Sequence, residues 1–551
     1  MQADLSPYAG RWIARVGNKI VGQGGMPQQA LQAAKQSRYK EKPTVTYVPT
    51  AKPLRFSPLL ERVRTALPEG ETLYLVGGAV RDALLSKPSH DLDFASPGDA
   101  LNLARRLANR LGGAYYPLDV ERGTARVIAT AEDGQRYNLD FAALRGPTLQ
   151  ADLEDRDFTI NAMAVEVRSP QALLDPLGGA ADLDAKTLRA CSPTSFEDDP
   201  VRILRAIRMA ATLDLSITPE TRTQMEAAVP ILPAVSPERL CLELFRILEG
   251  PRPAASIRAL DMLGALSHVL PELETLKGVE QTSPHVHDAW EHTLSTVRSL
   301  EKLLAVLEED VDPEVDANVF TAQVSQRLGR YRQQLGDYLE RELVIDRSVC
   351  ALSFLAALYH DIGKPGSSQH EEESGRIRFL EHEHEGADVI VRRARQLRLS
   401  NAEIDWLETV VEAHMRPTWL AREGSGPSKR AVYRFFRDAG EAGVGVVLLS
   451  LADLLGTYEH TLPQERWERQ IEVARALLDA WWEQHNQRVD PPALISGHDL
   501  IETFDLRPSP LIGELLEAVR EAQAVGQVRT RQEALAFVRA YLQEGGENTN
   551  R

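Results

Sequence analysis

The chain has 551 residues, and because a single hydrophobic core stops growing near ~250–300 residues, several domains are expected. Its hydrophobic content of 43% and charged content of 26% are ordinary for a globular protein. The formal net charge of −17 counts against a general nucleic-acid coating role, while leaving room for a local basic track.

No apolar run approaches the ~18 residues of a membrane helix. The opening stretch from Met1 to Pro7 lacks the basic and apolar regions of a signal peptide. Cys191, Cys241 and Cys350 are too few and too far apart for a disulfide framework or a zinc ribbon. A cytoplasmic protein with no membrane partner is expected. The acids concentrate in Glu308–Asp316 and Glu371–Glu373, which read as solvated loops.

Residues 1–50 read as a small accessory α/β unit. Trp12–Val16 and Lys19–Gly22 flank a hairpin turn at Gly17 and Asn18, a helix runs from Pro27 to Arg38, and a strand covers Thr44–Val48. Pro53 and Pro58 mark a linker over 51–58. Strand and helix signals then mix, with strands predicted at Leu73–Val76, Asp91–Ala95, Ala125–Ala129 and Tyr137–Phe141. From Pro200 onward the pattern is almost wholly helical. Helix-period runs fall at Val201–Leu213, Pro237–Leu248, Val389–Leu399, Trp467–Trp482 and Arg531–Leu542.

The chemistry begins at Gly77 and Gly78, which follow the first of these strands and precede a helix-like stretch, Asp82–Leu85. Glycines there let the backbone come close to a triphosphate, and the N–H groups that open a helix favour anionic oxygens. Arg81 adds a forked donor to the same phosphates. Asp91 and Asp93 are two apart, so on an extended strand both side chains point to one face. Two hard carboxylates converging there suit Mg²⁺, which binds through one or two carboxylates plus substrate phosphates. Singly, these signals also fit a tight turn and a solvated Asp-x-Asp. In this order they set a phosphate cradle beside a metal site, as nucleotidyl transfer requires.

Three clusters follow. Asp140, on the Tyr137–Phe141 strand, is a candidate third acid or a plain surface acid. Arg156, Asp157 and Asn161 offer groups for phosphate and ribose hydroxyl, and Asp157 equally suits the cap of a helix over 158–163. Pro200 fits a first helical position with Asp199 as its cap. Yet Asp199 and Arg202 are three apart on one helix face. An acceptor and a forked donor side by side can read the Watson–Crick edge of a base without a nucleic-acid template. Arg205 and Arg208 continue the stripe.

Farther along, His292, the adjacent His360 and Asp361, His384, His414 and Asp453 form an ordered imidazole–carboxylate series. A lone helical histidine is more often structural. The mixture of donors in this series suits a transition metal (Ni²⁺, Co²⁺, Mn²⁺ or Fe²⁺) better than Mg²⁺.

Taken in order, Gly77-Gly78-x-x-Arg81-Asp82, Asp91-x-Asp93, Arg122-Gly123-Thr124, Arg156-Asp157-Phe158-Thr159-Ile160-Asn161 and Asp198-Asp199-x-x-Arg202 resemble the head and neck motifs of bacterial class II tRNA nucleotidyltransferases. That family comprises CCA-adding enzymes with CC-adding, A-adding and poly(A) polymerase relatives. The stretches at Ser236–Arg239 and Pro251–Ala254 resemble its neck and body, so the likeness spans residues 60–275.

The resemblance implies an α+β fold: a small mixed α/β nucleotidyltransferase head of the DNA polymerase β-like kind, then an all-α neck, body and HD domain. It implies Gly78 and Arg81 on triphosphate, Asp91 and Asp93 on metal, and Arg156 on the nucleotide. Asp199 and Arg202 become the protein template for the incoming base, with Arg205 nearby. The implied partners are the tRNA 3′ end, CTP and ATP, and not DNA.

Two departures stand out. The family often has Glu-Asp where this chain has Asp198-Asp199, and Arg-Arg-Asp where it has Asp155-Arg156-Asp157. The histidine series resembles the HD phosphohydrolase superfamily, and its extra histidines resemble the two-metal members. The expected division is an accessory unit at 1–50, a head at 60–195, a neck and body at 196–275, an HD domain at 285–460 and a helical tail at 461–551. Poly(A) tailing stays open, as does an HD phosphohydrolase whose head senses nucleotide. The motifs do not separate CCA, CC and A addition.

Overall fold

The computed structural model describes residues 5–36, 41–50, 53–87, 89–131, 134–308, 319–372, 374–423 and 426–548. The chain falls into two compact units, Met1–Val235 and Ser236–Arg551. The acidic run from 309 to 316, Glu373, and residues 37 and 38 of the expected first helix lie outside the described residues.

Among the described residues the first unit carries two larger sheets and a two-stranded parallel one, Thr187–Leu188 with Ser216–Ile217. In the N-terminal one, β1 (Trp12–Val16), β2 (Lys19–Gly24) and β3 (Thr44–Tyr47) are antiparallel in the order β2-β1-β3. The helix Pro27–Gln36 packs on them, with Ala14, Val21, Ala30 and Ala34 forming a small core. The hairpin turn forms where the sequence puts it, with Gly17 at φ +58.

The second sheet has seven strands: β4 (Tyr74–Val76), β5 (Asp91–Ser96), β6 (Ala114–Asp119), β7 (Thr124–Thr130), β8 (Arg136–Ala143), β9 (Ala164–Glu166) and β10 (Leu173–Leu174). Their order is β10-β9-β4-β5-β8-β7-β6, with β5 and β8 parallel and every other pair antiparallel. Alternation along β5 explains its placement. Leu92 and Phe94 are buried, while Asp91 and Asp93 emerge on the opposite face. Leu92 and Phe94 meet Leu139 and Phe141 of β8, Leu103 and Leu107 of the helix Ala100–Leu111, and Leu59 and Val63 of the helix Pro58–Ala66 in one core.

All four expected strands are present. Three more were not anticipated: β6 is an edge strand interrupted by Pro117, and β9 and β10 are only three and two residues long. The helix expected over 158–163 is replaced by a 3₁₀ turn, Thr159–Asn161. The sheet claims the next residues as β9, and Phe158 bridges to Ala190.

The second unit is nearly all helical. Pro237–Leu248, His382–Gln396, Gln464–Trp482 and Arg531–Asn548 realise the periodic runs. Among the described residues two short hairpins interrupt it, Glu342–Val344 with Arg347–Ser348 and Ser368–Glu371 with Arg376–Phe379. The stretch Ala442–Thr461 is long and apolar enough by composition to cross a membrane, but 83% of its apolar window is buried inside the protein, as in a core helix.

Candidate functional site

The head site forms where β4 ends beside β5. The antiparallel register sets Val76 opposite Asp93, and the parallel register sets Asp93 opposite Asp140 and Asp91 opposite Asn138. The chain turns at Gly77, with φ +77, into the helix Gly78–Leu84. A Cβ on Gly77 would meet Arg156 Nη1 at 3.3 Å and Asp93 Oδ2 at 3.5 Å, in a backbone conformation that L side chains rarely adopt. The glycine turn, the acid pair and Arg156 therefore line one cradle.

The acids differ in their bonds. Asp91 Oδ1 accepts from Asn138 Nδ2 at 3.1 Å. Both oxygens of Asp140 accept from Arg126, through Nε and Nη2, at 2.8 Å each. The Asp93 carboxyl is pushed above its ordinary range, first by lost hydration within the site and next by the charge of Asp140. Arg156 opposes this, Asp91 adds to it, and Arg126 opposes it. Three carboxylates on one face, one of them raised by lost hydration and then by its acidic neighbours, make a donor set that fits a divalent cation. Arg126 leaves Asp140 the least available of the three.

Two arginines beside the glycine turn, Arg156 and Arg81, are each held by other side chains. Arg156 Nε and Nη2 donate to Asp152 Oδ2 at 3.2 and 3.0 Å. Asp152 is 1% exposed, and its other oxygen accepts from the Arg145 amide at 3.0 Å. Arg81 donates through Nε to Asp82 Oδ1 at 2.8 Å and through Nη1 to Asn161 Oδ1 at 2.7 Å. Asp157 Oδ1 accepts from the Phe158 amide at 2.8 Å and from Asn161 Nδ2 at 3.1 Å, and Oδ2 from Arg205 Nη1 at 3.4 Å. Sequence reading missed Asp152, Arg126 and Asn138. Only Asp152 left a signal there, the i,i+4 spacing to Arg156 on a helical stretch.

Asp199 and Arg202, the pair expected to read the base, are placed differently from expectation. Asp199 does not cap the following helix, which starts at Arg202 with Val201 in the cap position and no side-chain cap. Arg202 is 9% exposed. Its Nη1 donates to Ser195 Oγ at 2.8 Å and the Ser195 carbonyl at 3.1 Å, and its Nη2 to the Asp155 carbonyl at 3.0 Å. A base-reading Arg202 must exchange some of these partners. In this state it ties its helix to the segment that carries Arg156.

A second centre lies in the helical unit. His292 comes from the helix Ala289–Leu307, His360 and Asp361 from the end of Val349–Tyr359, and His382 from the start of His382–Gln396. His414 follows Asn401–Ala413, and Asp453 sits in Ala442–Tyr458. Asp361 is shared. Its Oδ2 lies 3.2 Å from both His292 Nε2 and His360 Nε2, and its Oδ1 lies 3.3 Å from His382 Nε2 and 4.0 Å from His414 Nε2. Asp453 Oδ1 lies 3.2 Å from His292 Nε2.

The expected ligand His384 is a correction. Its side chain is 60% exposed and its Nδ1 pairs with Glu412 at 3.0 Å, while the neighbour two residues earlier, His382, occupies the site. One turn of helix carries only one of the two inward.

The tautomers argue for a metal. Nδ1 of His360, His382 and His414 donates to the carbonyl three residues earlier, on Ala357, Phe379 and Val411, at 2.9, 2.9 and 2.6 Å. With Nδ1 so engaged, a ring that is neutral at any of these positions carries its Nε2 lone pair inward, the arrangement of a metal ligand. Nε2 of His382 and of His414 is buried without a hydrogen-bond partner, and the Nε2 atoms of His292 and His360 stand 3.1 Å apart. Protein alone answers by charging His360. Burial works against that charge, but the Asp361 and Asp453 carboxylates outweigh it and push the ring up to about 10. His414, buried and facing that cation, is lowered to about 3. Two groups, His292, His360 and Asp361 on one side and Asp361, His382 and His414 on the other, have donor atoms mutually within 4.8 Å. This nitrogen–oxygen set fits divalent transition metals.

Residues 73–189 match the poly A polymerase head domain family and residues 214–277 the probable RNA and SrmB-binding site of polymerase A. Residues 321–457 match the HD domain, and residues 464–538 a putative second domain of tRNA nucleotidyltransferases. Residues 4–51 match a family of unknown function. An A-adding tRNA nucleotidyltransferase of Deinococcus radiodurans is 34% identical over 485 residues, 85% of this chain and 95% of that protein. A CC-adding tRNA nucleotidyltransferase of Geobacter sulfurreducens is 32% identical over 465 residues, 84% of this chain and 91% of that one. Among solved structures, the apo form I of a CCA-adding enzyme has a TM-score of 0.56 at 22% identity, covering 88% of this chain and 93% of that chain, a likeness of fold.

Proposed function

The chain belongs to the tRNA nucleotidyltransferase family, and on that footing we propose that its head adds cytidylate or adenylate from CTP or ATP to the tRNA 3′ end without a nucleic-acid template. The observation that carries this reading is the cradle in which Asp93 and Arg156 both lie against the Gly77 turn. In the reaction the terminal tRNA hydroxyl attacks the α-phosphorus. A new P–O bond forms, the bond to pyrophosphate breaks, and the hydroxyl proton passes to solvent. The family's head and HD domains imply divalent metals, and Asp91 and Asp93 are the residues we assign to Mg²⁺, with Asp140 adjacent. Bound there, Mg²⁺ supplies charge neutralisation for the triphosphate and the departing pyrophosphate.

The remaining roles fall to the protein's own groups. The Gly77–Gly78 turn leaves room for phosphate oxygens beside Asp93, with Arg81 and Arg156 donating to them. Asp157 and Asn161 hold Arg81 and Arg205 toward the ribose side. Asp199 and Arg202 select the base. Positioning and charge supply most of the rate, with no covalent intermediate.

The deciding experiment offers purified protein tRNA ending at the discriminator base, after C, or after CC, with CTP and ATP given separately. Products on a sequencing gel assign nucleotide choice directly. No extension of any tRNA by either nucleotide overturns the reading. A supporting variant is Asp152→Ala, which strips the buried partner from Arg156. It should cost roughly 3 kcal/mol of stability, as breaking a buried ion pair does, and should raise the KM for nucleotide about tenfold through misplacement of Arg156. Thermal denaturation and incorporation kinetics check both.

The centre in the helical unit supports a second activity, metal-dependent hydrolysis of a phosphoester such as a 2′,3′-cyclic phosphate, with Ni²⁺, Co²⁺, Mn²⁺ or Fe²⁺ held by His292, His360, Asp361, His382, His414 and Asp453. Asp361, between the two histidine groups, carries this reading.

A further inference from the structure

Of the contacts between the N-terminal unit and the head, two lead toward Arg156, which lines the cradle, and Arg81 beside it. The first is Met26. It is buried in one cluster with Val76, Ala95, Leu149, Leu153, Ala162 and Ala164. Val76 immediately precedes the Gly77 turn, and Ala95 lies on the acid-bearing strand β5. Leu149 and Leu153 belong to the helix Leu149–Glu154, which also carries Asp152, the holder of Arg156.

The second point is Gly25. Its carbonyl accepts from the Asp175 amide at 2.8 Å. A Cβ at position 25 would fall 1.4 Å from the Asp175 carbonyl oxygen, so backbone lies directly on backbone and only glycine fits. The Asp175 carboxylate accepts from the amides of Gly179 and Ala180 at 2.7 and 3.0 Å, at the start of the helix Gly179–Asp184. That helix presses on the 3₁₀ turn. A Cβ at Gly179 would lie 2.0 Å from the Thr159 carbonyl oxygen, and Thr159 Oγ1 donates to Asp182 at 2.5 Å. The turn ends in Asn161, which receives Arg81. Gln29 ties the junction together, accepting from the Gly25 amide at 3.0 Å and donating to the Pro176 carbonyl at 3.1 Å. Trp12 Nε1 donates to the Leu173 carbonyl at 2.9 Å, on the edge strand β10.

An independent recognition module on a tether would close its own core and touch the head loosely. This unit instead gives a side chain to the head's core and a glycine to a backbone contact. We propose that it is a brace for the nucleotide cradle, with Gly25 and Met26 as positioning residues that set Arg156 and Arg81. The inference rests on the nucleotidyltransferase reading of the head.

The test compares wild type with Gly25→Ala, Met26→Ala, Met26→Leu and Gln29→Ala. It measures binding of CTP and ATP by equilibrium dialysis with Mg²⁺ and no tRNA, incorporation kinetics, tRNA binding by filter retention, and melting temperature. Gly25→Ala and Met26→Ala are expected to weaken nucleotide binding and raise its KM roughly tenfold, as sub-ångström misplacement of binding groups does. Binding of tRNA should stay within about twofold, Met26→Leu should recover nucleotide binding because it restores core volume, and Gln29→Ala should fall between. Should Gly25→Ala fail to fold, Gln29→Ala, which removes only two hydrogen bonds, decides. Wild-type nucleotide binding in folded Met26→Ala and Gln29→Ala overturns the brace. So does loss of nucleotide and tRNA binding together, in proportion to the unfolded fraction. If wild type binds nucleotide but extends no tRNA, the functional reading fails while dialysis still decides the brace; if wild type binds neither nucleotide, both fail.

Discussion

Replacing either Asp91 or Asp93 by alanine is expected to lower nucleotide incorporation by on the order of 10³-fold or more, the scale on which preorganised electrostatic groups act, with tRNA binding preserved. The two carboxylates share a strand face at the mouth of the glycine turn, so each deletion removes half of the assigned metal grip without touching a buried apolar side chain. Asp140→Asn makes the useful contrast. Both Asp140 oxygens are already committed to the Arg126 fork, so a loss nearer tenfold is expected from disturbed positioning alone. Primer extension in Mg²⁺ alongside filter binding of tRNA measures all three. Robust extension by Asp93→Ala would dismiss the metal assignment, and equal losses in all three variants would make Asp140 a full ligand.

The acid pair was legible in the sequence because strand alternation is a local rule: two residues apart means one face, whatever the rest of the chain does. The turn was legible for the same reason, since Gly77 and Gly78 follow an apolar run. What surrounds them was legible only in part: Asp140 stood out as a candidate third acid, with a plain surface acid as the alternative. Asp140 lies beside Asp93 only because β5 and β8 pair in parallel, and a register spanning 47 positions leaves no local mark on either segment. Arg126 reaches Asp140 through a different pairing, β7 with β8, and so was not foreseen. The helix suggested over 158–163 is confined to a 3₁₀ turn because Phe158 is taken by its bridge to Ala190 and the sheet resumes at Ala164. In the helical unit, His360 and Asp361 could be picked out as an adjacent pair, whereas choosing between His382 and His384 required the rotation of a helix whose start no cap residue announces. Its cap position is Glu381, in the left-handed region and with no side-chain cap.

That choice yields a sharp contrast in the second centre. His382→Ala is expected to lower metal-dependent phosphoesterase activity at least ~100-fold, since even outer-shell changes cost 10–100-fold, while His384→Ala stays within about twofold of wild type. His382 Nε2 is buried and unbonded, 3.3 Å from the Asp361 oxygen that also faces His414. Without it that side of the shared carboxylate keeps one imidazole, too few donors to hold a cation against water. The group formed by His292, His360 and Asp361 is untouched by the change, so metal content measured by mass spectrometry should fall by about half rather than to zero, if each group holds one ion. His384 offers no such leverage, because its imidazole is exposed and faces Glu412 rather than Asp361. Activity that survives His382→Ala but dies in His384→Ala would return the ligand to the position the sequence suggested. Incorporation by the head should be unchanged in both variants, since neither alters a group that lines the glycine cradle.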